Sequence, residues 1–257
     1  MKIMVIGHTG MLGREVHKAI TRRGHEVIGL RVNITEISNL EGDPEIVINC
    51  AGLVPQHIPS PSPATFMLVN GFGPWNLADR CDQIEARLIQ VSTDCVFDGS
   101  VYMPDDKPHF EGEPPQPETP YGYSKLAGEI RREPHLTVRT SFVGFGKRGL
   151  IAELQKDEIY QASRNLLWTG HTSRFVAEIL VMLAEREISG LLHIPGETFT
   201  RFDLVRMLND ALDLKCQYSS AYTPEIDRRL GSERWAKEGL PDLPSFKWQL
   251  EWLRRSQ

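Results

Sequence analysis

The sequence predicts an α/β fold, with a doubly wound and mostly parallel sheet followed by a smaller C-terminal cap. Strand-like apolar runs alternate with helical patterns over the first part of the chain, and this alternation loosens beyond Gly149. The first apolar run leads directly into three glycines and a helical pattern, the order found in a dinucleotide-binding Rossmann sheet. We therefore expect a Rossmann domain over residues 1–147 and a smaller substrate-binding part over 148–257. The helix predicted over 173–186 is expected to be able to pack back on the sheet.

The glycine turn lies near the start of the chain, between a strand pattern and a helical pattern. Ile3–Ile6 is apolar throughout, as a buried strand requires. Gly7 lets the chain turn sharply, Gly10 lets the backbone approach a pyrophosphate, and Gly13 lets the helix pack on the strand. Free N–H groups at the helix start face the anion. The first gap is one residue wider than in the common fingerprint, and the alternative is a purely structural turn.

Composition and charge argue against several classes of partner. The 257 residues carry a net charge of −5 and no basic block, which argues against a nucleic-acid partner. No apolar run has membrane-spanning length, and the N-terminal apolar residues are too few for a signal peptide. The 4 cysteines form no Cys-x-x-Cys pair, and the histidines lack ligand spacing. These patterns favour a cytoplasmic protein with reduced thiols and no metal site.

The second and third predicted strands bring cofactor candidates to the sheet edge. Arg31 follows the predicted strand Glu26–Leu30, at a place where an arginine suits a 2′-phosphate and an acid suits a free 2′-hydroxyl. This favours NADP(H), and the alternative is a solvated loop charge. The predicted third strand, Ile46–Asn49, is followed by the small residues Cys50-Ala51-Gly52, which let a flat ring lie against the backbone.

A kinked helix, a fourth strand and a long loop come next. Two glycines and a proline interrupt the helix predicted over 64–81, which indicates a kink rather than an end. The fourth strand is predicted over Arg87–Val91, and Ser92-Thr93-Asp94 stand at its carboxyl end. The loop over 100–120 is rich in proline and acid, and a loop of this length is usually functional or mobile.

The helix predicted after Pro120 carries the residues suited to catalysis. Tyr121 and Lys125 are four positions apart and share one helical face. A tyrosine has a pKa near ~10, too high for easy proton exchange at neutral pH, and a nearby ammonium lowers it. The Thr93 hydroxyl would orient a carbonyl oxygen toward the phenol, so the three residues suit reduction of a ketone. Tyr123 is a rival phenol expected on the opposite side, in the core or on the surface.

The second half of the chain has weaker patterns. A strand is predicted over 136–139, a helix over 173–186, a strand over 191–194 and a helix over 202–212. Three tryptophans are expected in the core of the cap: Trp235, Trp248 and Trp252.

Three motifs follow one another in a fixed order. They are Gly7-x-x-Gly10-x-x-Gly13, the run from Ser92 to Gly99, and the run from Tyr121 to Glu129. Together they resemble the extended short-chain dehydrogenase/reductases, and within these the dTDP-4-dehydrorhamnose reductase group. Shorter segments at 49–52, 70–78, 138–141 and 190–194 fall where that group has them. The resemblance covers most of the chain and is weakest over 147–167 and after Leu214.

This resemblance implies a role for each candidate residue. Thr93 would bind the keto oxygen, Tyr121 would donate a proton, and Lys125 would lower the phenol pKa and hold the nicotinamide ribose. The candidate cofactor-binding residues are then Gly7, Gly10, Met11, Leu12, Gly13, Arg31, Asn33, Ile34, Cys50, Ala51, Gly52, Ser92 and Lys125. The candidate substrate-binding residues are Val54, Thr93, Asp94 and Phe142. Asn33 replaces the aspartate usual at its place, and Phe142 replaces a tryptophan.

The implied function is NAD(P)H-dependent reduction of a nucleotide-diphosphate-linked 4-keto-6-deoxy sugar, with NADPH preferred, for deoxysugar and polysaccharide biosynthesis. The alternatives are a sugar-nucleotide epimerase of the same superfamily and a non-catalytic NADP-binding regulatory subunit. Cys95 stands where a dehydratase of this kind carries glutamate, which disfavours dehydration.

The expected partners are a nucleotide sugar and a second copy of the chain, but no nucleic acid and no membrane. The resemblance implies a homodimer through the helices near 64–81 and 121–132. The chain is shorter than the family norm in its second half, where the sugar is gripped. The identity of the sugar and of its nucleotide therefore stays open.

Overall fold

The computed structural model describes residues 1–30, 33–37, 40–57, 59–98, 107–156 and 158–255. Strands and helices alternate through its first half. The strands there are β1 (Lys2–Ile6), β2 (Glu26–Leu30), β3 (Ile46–Asn49), β4 (Arg87–Thr93) and β5 (Leu136–Thr140). The helices between them are α1 (Met11–Arg22), α2 (Pro63–Phe66), α3 (Gly73–Gln83) and α4 (Pro120–Ala127).

Shorter elements make up most of the second half. Its strands are β6 (Phe142–Val143), β7 (Tyr160–Ser163), β8 (Leu166–Thr169), β9 (His171–Thr172), β10 (Gly190–His193), β11 (Thr198–Thr200), β12 (Tyr218–Ala221) and β13 (Ile226–Arg228). Its helices are α5 (Leu150–Leu154), α6 (Ser173–Ala184), α7 (Arg201–Leu212), α8 (Arg234–Lys237) and α9 (Phe246–Arg254).

A six-stranded sheet, counted over the described residues, forms the centre of the molecule in the order β10-β5-β4-β3-β1-β2. Each described pairing in it is parallel. The predicted Rossmann-type α/β fold is therefore confirmed. The strand order reverses between β1 and β3, because β2 lies on one side of β1 and β3 on the other. Ligands of such sheets bind in the crevice beyond the carboxyl ends of the strands at this switch point.

The sheet is buried on both faces, which explains the continuous apolar run in β1. Ile3 and Val5 belong to the cluster that packs against α1 and α6, whereas Met4 and Ile6 belong to the cluster that packs against α3. All four side chains are fully buried. Alternate residues of a strand point to opposite faces, so a strand covered by helices on both sides is apolar at every position.

The helix predicted over 64–81 forms without interruption, but its middle part is π-helical and not α-helical. A π-helical turn, Met67–Phe72, joins α2 to α3, at the position where the glycines interrupt the pattern. The chain passes very close to α4 here, since a Cβ at Gly128 would lie 2.0 Å from the Asn70 carbonyl oxygen. The wide turn thus seats the preceding helices against the helix that carries Tyr121.

The C-terminal part has an apolar cluster of its own, formed by residues of α5, α7, β8 and α9. Trp235 does not belong to this cluster. Its side chain packs instead in the cluster that the sheet forms with α1 and α6. Trp248 is 48% exposed. The prediction that these two tryptophans form the core of the cap is therefore wrong. In the described ranges, no helix is both long and apolar enough to cross a membrane.

Candidate active site

The glycine turn has the geometry of an anion cradle. Gly7 has φ +77°, and a Cβ there would lie 2.8 Å from the Ala51 backbone nitrogen. A Cβ at Gly13 would lie 2.2 Å from the Gly7 carbonyl oxygen. Gly10 is the N-cap of α1, and within the described residues no side chain caps this helix. The first N–H groups of α1 therefore remain for an anion, so the residues present fit a dinucleotide pyrophosphate.

Backbone at the end of β3 forms one wall beside this turn. The Asn49 side chain accepts a hydrogen bond from the Ala51 N–H at 3.0 Å and donates one to Gln90 at 2.7 Å. Burial raises the pKa of the Cys50 thiol to about 12, which keeps it protonated. Gly52 is exposed. The Asn49 hydrogen bonds hold this wall in place, its residues are small, and the Cys50 thiol is uncharged. These properties suit contact with a flat ring.

The region predicted to meet the adenosine is described only in part. Asn33 caps a short 3₁₀ helix, because its side-chain oxygen accepts from the Thr35 N–H at 3.2 Å. Ile34 is buried beside Gly73. Arg31 lies outside the described residues, so its predicted contact with a 2′-phosphate stays a prediction.

A segment rich in glycine runs past the start of α1. Arg14 donates to the Phe145 carbonyl oxygen at 3.0 Å, and Met11 lies where a Cβ on Gly149 would contact it at 3.1 Å. From this segment, Arg148 reaches His57 in the loop after β3, with Nη1 and Nε2 2.8 Å apart. Loops from both sides of the glycine turn thus meet beside it.

The predicted catalytic residues come together at the carboxyl end of β4. Thr93 ends that strand and is 6% exposed. Its hydroxyl donates to Asp94 at 3.1 Å and accepts from the Cys95 N–H at 3.2 Å. Tyr121 lies in the first turn of α4, which Thr119 caps. Thr93 also lies close enough to the Tyr121 phenol to lower its pKa.

Burial dominates the electrostatics of the phenol. It raises the pKa of Tyr121 above the ordinary value, and the charge of Asp94 acts in the same direction. Hydrogen bonding to Thr93 and the charge of Arg228 oppose this rise. The phenol is therefore protonated at neutral pH, the state that a proton donor needs.

Lys125 lies one turn further along α4 and is 7% exposed. Its ammonium donates to the Val91 carbonyl oxygen at 2.7 Å. Burial lowers the pKa of Lys125 to about 8, and the charge of Glu129 partly offsets this effect. The sequence prediction assigned Lys125 the role of lowering the Tyr121 pKa, but here its ammonium is bound to the β4 backbone.

A buried ion network lies behind these residues. Arg139 donates to both carboxylate oxygens of Glu129, at 2.7 Å and 2.9 Å, and Arg131 donates to the same carboxylate. The Ser92 hydroxyl also donates to Glu129, at 2.9 Å. The Ser92 side chain is therefore bound to this network, and its predicted contact with the cofactor stays a prediction. No local sequence pattern indicates this network, since several of its members are far apart along the chain.

The predicted substrate-binding residues come from three elements. Val54 lies in the loop after β3, where its backbone is within hydrogen-bond distance of the His57 ring. Asp94 is 3% exposed, and burial raises its pKa. Phe142 is partly buried and pairs with His171 across β6 and β9. The structure adds Arg228, whose charge acts on Asp94 and which no local pattern in its irregular surroundings indicates.

Comparison with known proteins identifies the family. The model of the RmlD substrate binding domain matches residues 1–228. A dTDP-4-dehydrorhamnose reductase of Mycobacterium tuberculosis H37Rv is 30% identical over an alignment of 275 positions, gaps included, that covers 96% of this chain and 90% of that protein. The same-named protein of Streptomyces griseus is 36% identical over an alignment of 165 positions, gaps included, that covers 59% of this chain. The chain spans about half, 53%, of that relative's length.

Solved structures share the fold. The dTDP-4-dehydrorhamnose reductase of Bacillus anthracis, solved in complex with NADP, superposes with a TM-score of 0.81 at 21% identity. The match covers 100% of this chain and 98% of the other. The likeness extends over the whole length, including the shorter elements after β5.

Proposed function

This chain belongs to the RmlD family of dTDP-4-dehydrorhamnose reductases, a group of the extended short-chain dehydrogenase/reductases, and from that premise we propose its reaction and the residues that perform it. The protein is an oxidoreductase that uses NADPH to reduce a keto group on a nucleotide-linked sugar in deoxysugar biosynthesis. The carbonyl group that it reduces is the 4-keto group of a 6-deoxy sugar. The observations that support this proposal are that Thr93 ends β4, that Tyr121 lies in the first turn of α4 within reach of Thr93, and that Lys125 of the same helix binds the β4 backbone at Val91.

Each of the three residues has one task in this proposal. When bound, the reduced dinucleotide supplies the hydride that attacks the carbonyl carbon. The Thr93 hydroxyl donates a hydrogen bond to the keto oxygen, after turning from Asp94, and the Tyr121 phenol transfers its proton to that oxygen. Lys125, held by the Val91 carbonyl oxygen, binds the ribose next to the nicotinamide. A positioned acid of this kind contributes about 10²–10⁴-fold to the rate.

Residues along the carboxyl edge of the sheet would hold the cofactor. Gly7, Gly10 and Gly13 admit its pyrophosphate, which the N–H groups of Met11 and Leu12 bind. Ala51 and Gly52 line its rings. Asn33 and Ile34 are proposed to contact the adenosine. Arg31, which is outside the described residues, is proposed to bind its 2′-phosphate. The absence of a side-chain cap on α1, within the part of the chain that the structure describes, supports this placement.

The sugar is held opposite the cofactor by Val54, Asp94 and Phe142. Asp94 supports this role because its carboxylate already orients the Thr93 hydroxyl. We further propose a cytoplasmic location, since Cys50, Cys81, Cys95 and Cys216 are all free thiols.

The partner is a second copy of the chain, bound through α3, the π-helical turn and α4. Large apolar side chains are exposed on these elements: Leu68 is 51% exposed, Phe72 62%, Trp75 38% and Tyr123 55%. Exposed apolar patches of this kind mark protein interfaces.

The test is turnover against a panel of nucleotide-linked keto sugars, with NADPH and NADH in parallel. We expect NADPH oxidation in step with alcohol formation, and deuterium transfer to the former carbonyl carbon from labelled NADPH. Isomerised sugar without net NADPH oxidation would instead identify an epimerase. Cofactor binding without turnover of any sugar in the panel would favour the regulatory subunit.

A further inference from the structure

A chain of polar contacts links the C-terminal part to the start of α4. Arg228, at the end of β13, lies with Nη2 4.0 Å from Asp98 Oδ2. Asp98 accepts hydrogen bonds from the Glu118 N–H at 2.5 Å and from the Thr119 hydroxyl at 2.7 Å. Thr119 in turn caps α4, since its Oγ1 accepts from the Gly122 N–H at 3.0 Å. Arg228 is therefore connected through two side chains to the turn that carries Tyr121.

The surroundings of Arg228 are largely buried. Its side chain is 18% exposed, and that of Asp98 is 2% exposed. The Nε atom is buried and has no hydrogen-bond partner in the described ranges. The charge of Arg228 acts on Asp94, Cys95 and Tyr121 in addition to Asp98. Charges interact more strongly in such a water-poor site than in solution.

Packing keeps this arrangement in place. β13 pairs with β8, and it packs against the short helix Asp94–Phe97 that follows β4. That helix lies directly against α4, since a Cβ at Gly122 would be 2.6 Å from the Cys95 carbonyl oxygen. A displacement of β13 would therefore disturb the contacts of the predicted acid as well.

We propose that Arg228 is a positioning residue of the reduction, which fixes the start of α4 through Asp98 and stabilises the negative charge left on Tyr121. The inference rests on the proposed function, because it takes Tyr121 as the proton donor. The hydride passes from NADPH to the carbonyl carbon, and the phenolic proton passes to the carbonyl oxygen. The products are the alcohol and NADP⁺, and the remaining phenolate lies within the field of the guanidinium until it is reprotonated.

The direction of the pH effect follows from the groups that face the phenol. Asp94 and Cys95, in the short helix after β4, raise the Tyr121 pKa, whereas Thr93 at the end of β4 and Arg228 on β13 lower it. Removing the guanidinium therefore raises this pKa. Oxidation of the alcohol by NADP⁺ needs the phenolate as its base, so in such a variant this reverse reaction requires a higher pH.

The experiment compares Arg228→Met and Arg228→Lys in the full chain. Arg206→Met is the matched control, since Arg206 lies on α7 with its side chain 57% exposed. For Arg228→Met we expect a fall of about tenfold or more in kcat of reduction, a KM for the sugar within about threefold, and a reverse pH profile moved upward by about one unit. Arg228→Lys keeps the charge and regains most of the rate and the wild-type profile. Arg206→Met is unchanged.

Several outcomes would overturn the inference. A large rise in the KM for the sugar with an unchanged pH profile would make Arg228 a substrate ligand instead. An Arg228→Lys profile displaced upward from the wild-type profile by about one unit would exclude the role of charge, and this comparison decides the matter if Arg228→Met does not fold. If the wild type is active through Tyr121 and Arg228→Met equals it, this inference alone fails. If Tyr121→Phe keeps the wild-type rate, the proposed function fails with it.

Discussion

Lys125 is 7% exposed, and its ammonium donates to the Val91 carbonyl oxygen at 2.7 Å. Burial lowers its pKa from 10.5 to about 8. The unfolded chain therefore binds more protons than the folded chain between these two values, and folding stability attributable to this residue rises with pH there. Below about pH 8 the ammonium remains charged in a buried place, and this costs stability.

Lys125→Met tests this cost. A pKa lowered from 10.5 to about 8 corresponds to about 3 kcal/mol of penalty at neutral pH. The free energy of unfolding of the wild type should therefore increase relative to that of Lys125→Met as pH rises from about 7 toward 10. Urea denaturation of both proteins across this range measures the difference. Parallel curves would show that the folded and unfolded pKa values are equal.

Single residues also show which contacts a sequence can predict. The spacing of Tyr121 and Lys125 defines one helical face, and the structure places both on α4. The direction of the Ser92 side chain could not be predicted, because its partner Glu129 is 37 positions away. Arg228 lies still further from the residues on which its charge acts, in a segment without clear periodicity.

Among the structural elements, the glycine turn and α1 are the pair that packs most tightly around the predicted anion site. The helix packs so closely on the turn that a Cβ at Gly13 would meet three backbone atoms of Gly7 and His8 within 2.9 Å. Backbone atoms cannot move aside as flexible side chains do. A methyl group at this position therefore displaces the start of α1 from the turn.

Gly13→Ala is expected to lower stability by about 1–3 kcal/mol, as overpacking does, and to weaken NADPH binding through loss of the anion cradle. Gly112→Ala is the control, because a Cβ at Gly112 has nothing within 4 Å. Urea denaturation and titration with NADPH followed by fluorescence measure both effects. Wild-type stability together with wild-type affinity in Gly13→Ala would contradict this account of the turn.

Elements differ in how far their patterns predict them. The strands β1 to β5 and the helix α1 follow from local periodicity and glycine placement. The π-helical turn Met67–Phe72 could be expected only as a kink, because its winding depends on the close passage of Asn70 by Gly128. Such a contact between segments nearly sixty positions apart leaves no local signal.

At the scale of the whole molecule, the C-terminal part is tied to the sheet as well as to its own cluster. Trp235 packs under the sheet, and α6 lies beside α1. The division into residues 1–147 and 148–257 stays a prediction. Sequence periodicity could indicate which residues are buried in this part, but not which of two neighbouring clusters each one joins.

The proposed dimer face is tested by Phe72→Glu. Phe72 is 62% exposed, and a buried unpaired carboxylate at an interface would weaken association. Sedimentation velocity should show a wild-type dimer and a Phe72→Glu monomer with retained secondary structure. Ile159→Glu is the control, because Ile159 is 59% exposed and directly precedes β7, outside the elements of the proposed face. A monomeric wild type, or a Phe72→Glu dimer, would reject the interface.

The role of Tyr121 as the proton donor is the central claim, and one comparison tests it most directly. The rate of NADPH oxidation with a dTDP-linked 4-keto-6-deoxy sugar is measured for the wild type, Tyr121→Phe and Tyr123→Phe. Tyr123 is 55% exposed and two positions away, so its variant removes an equivalent hydroxyl from the same helix. We predict a loss of about 100-fold or more in kcat for Tyr121→Phe and a wild-type rate for Tyr123→Phe. An undiminished rate in Tyr121→Phe would contradict the account.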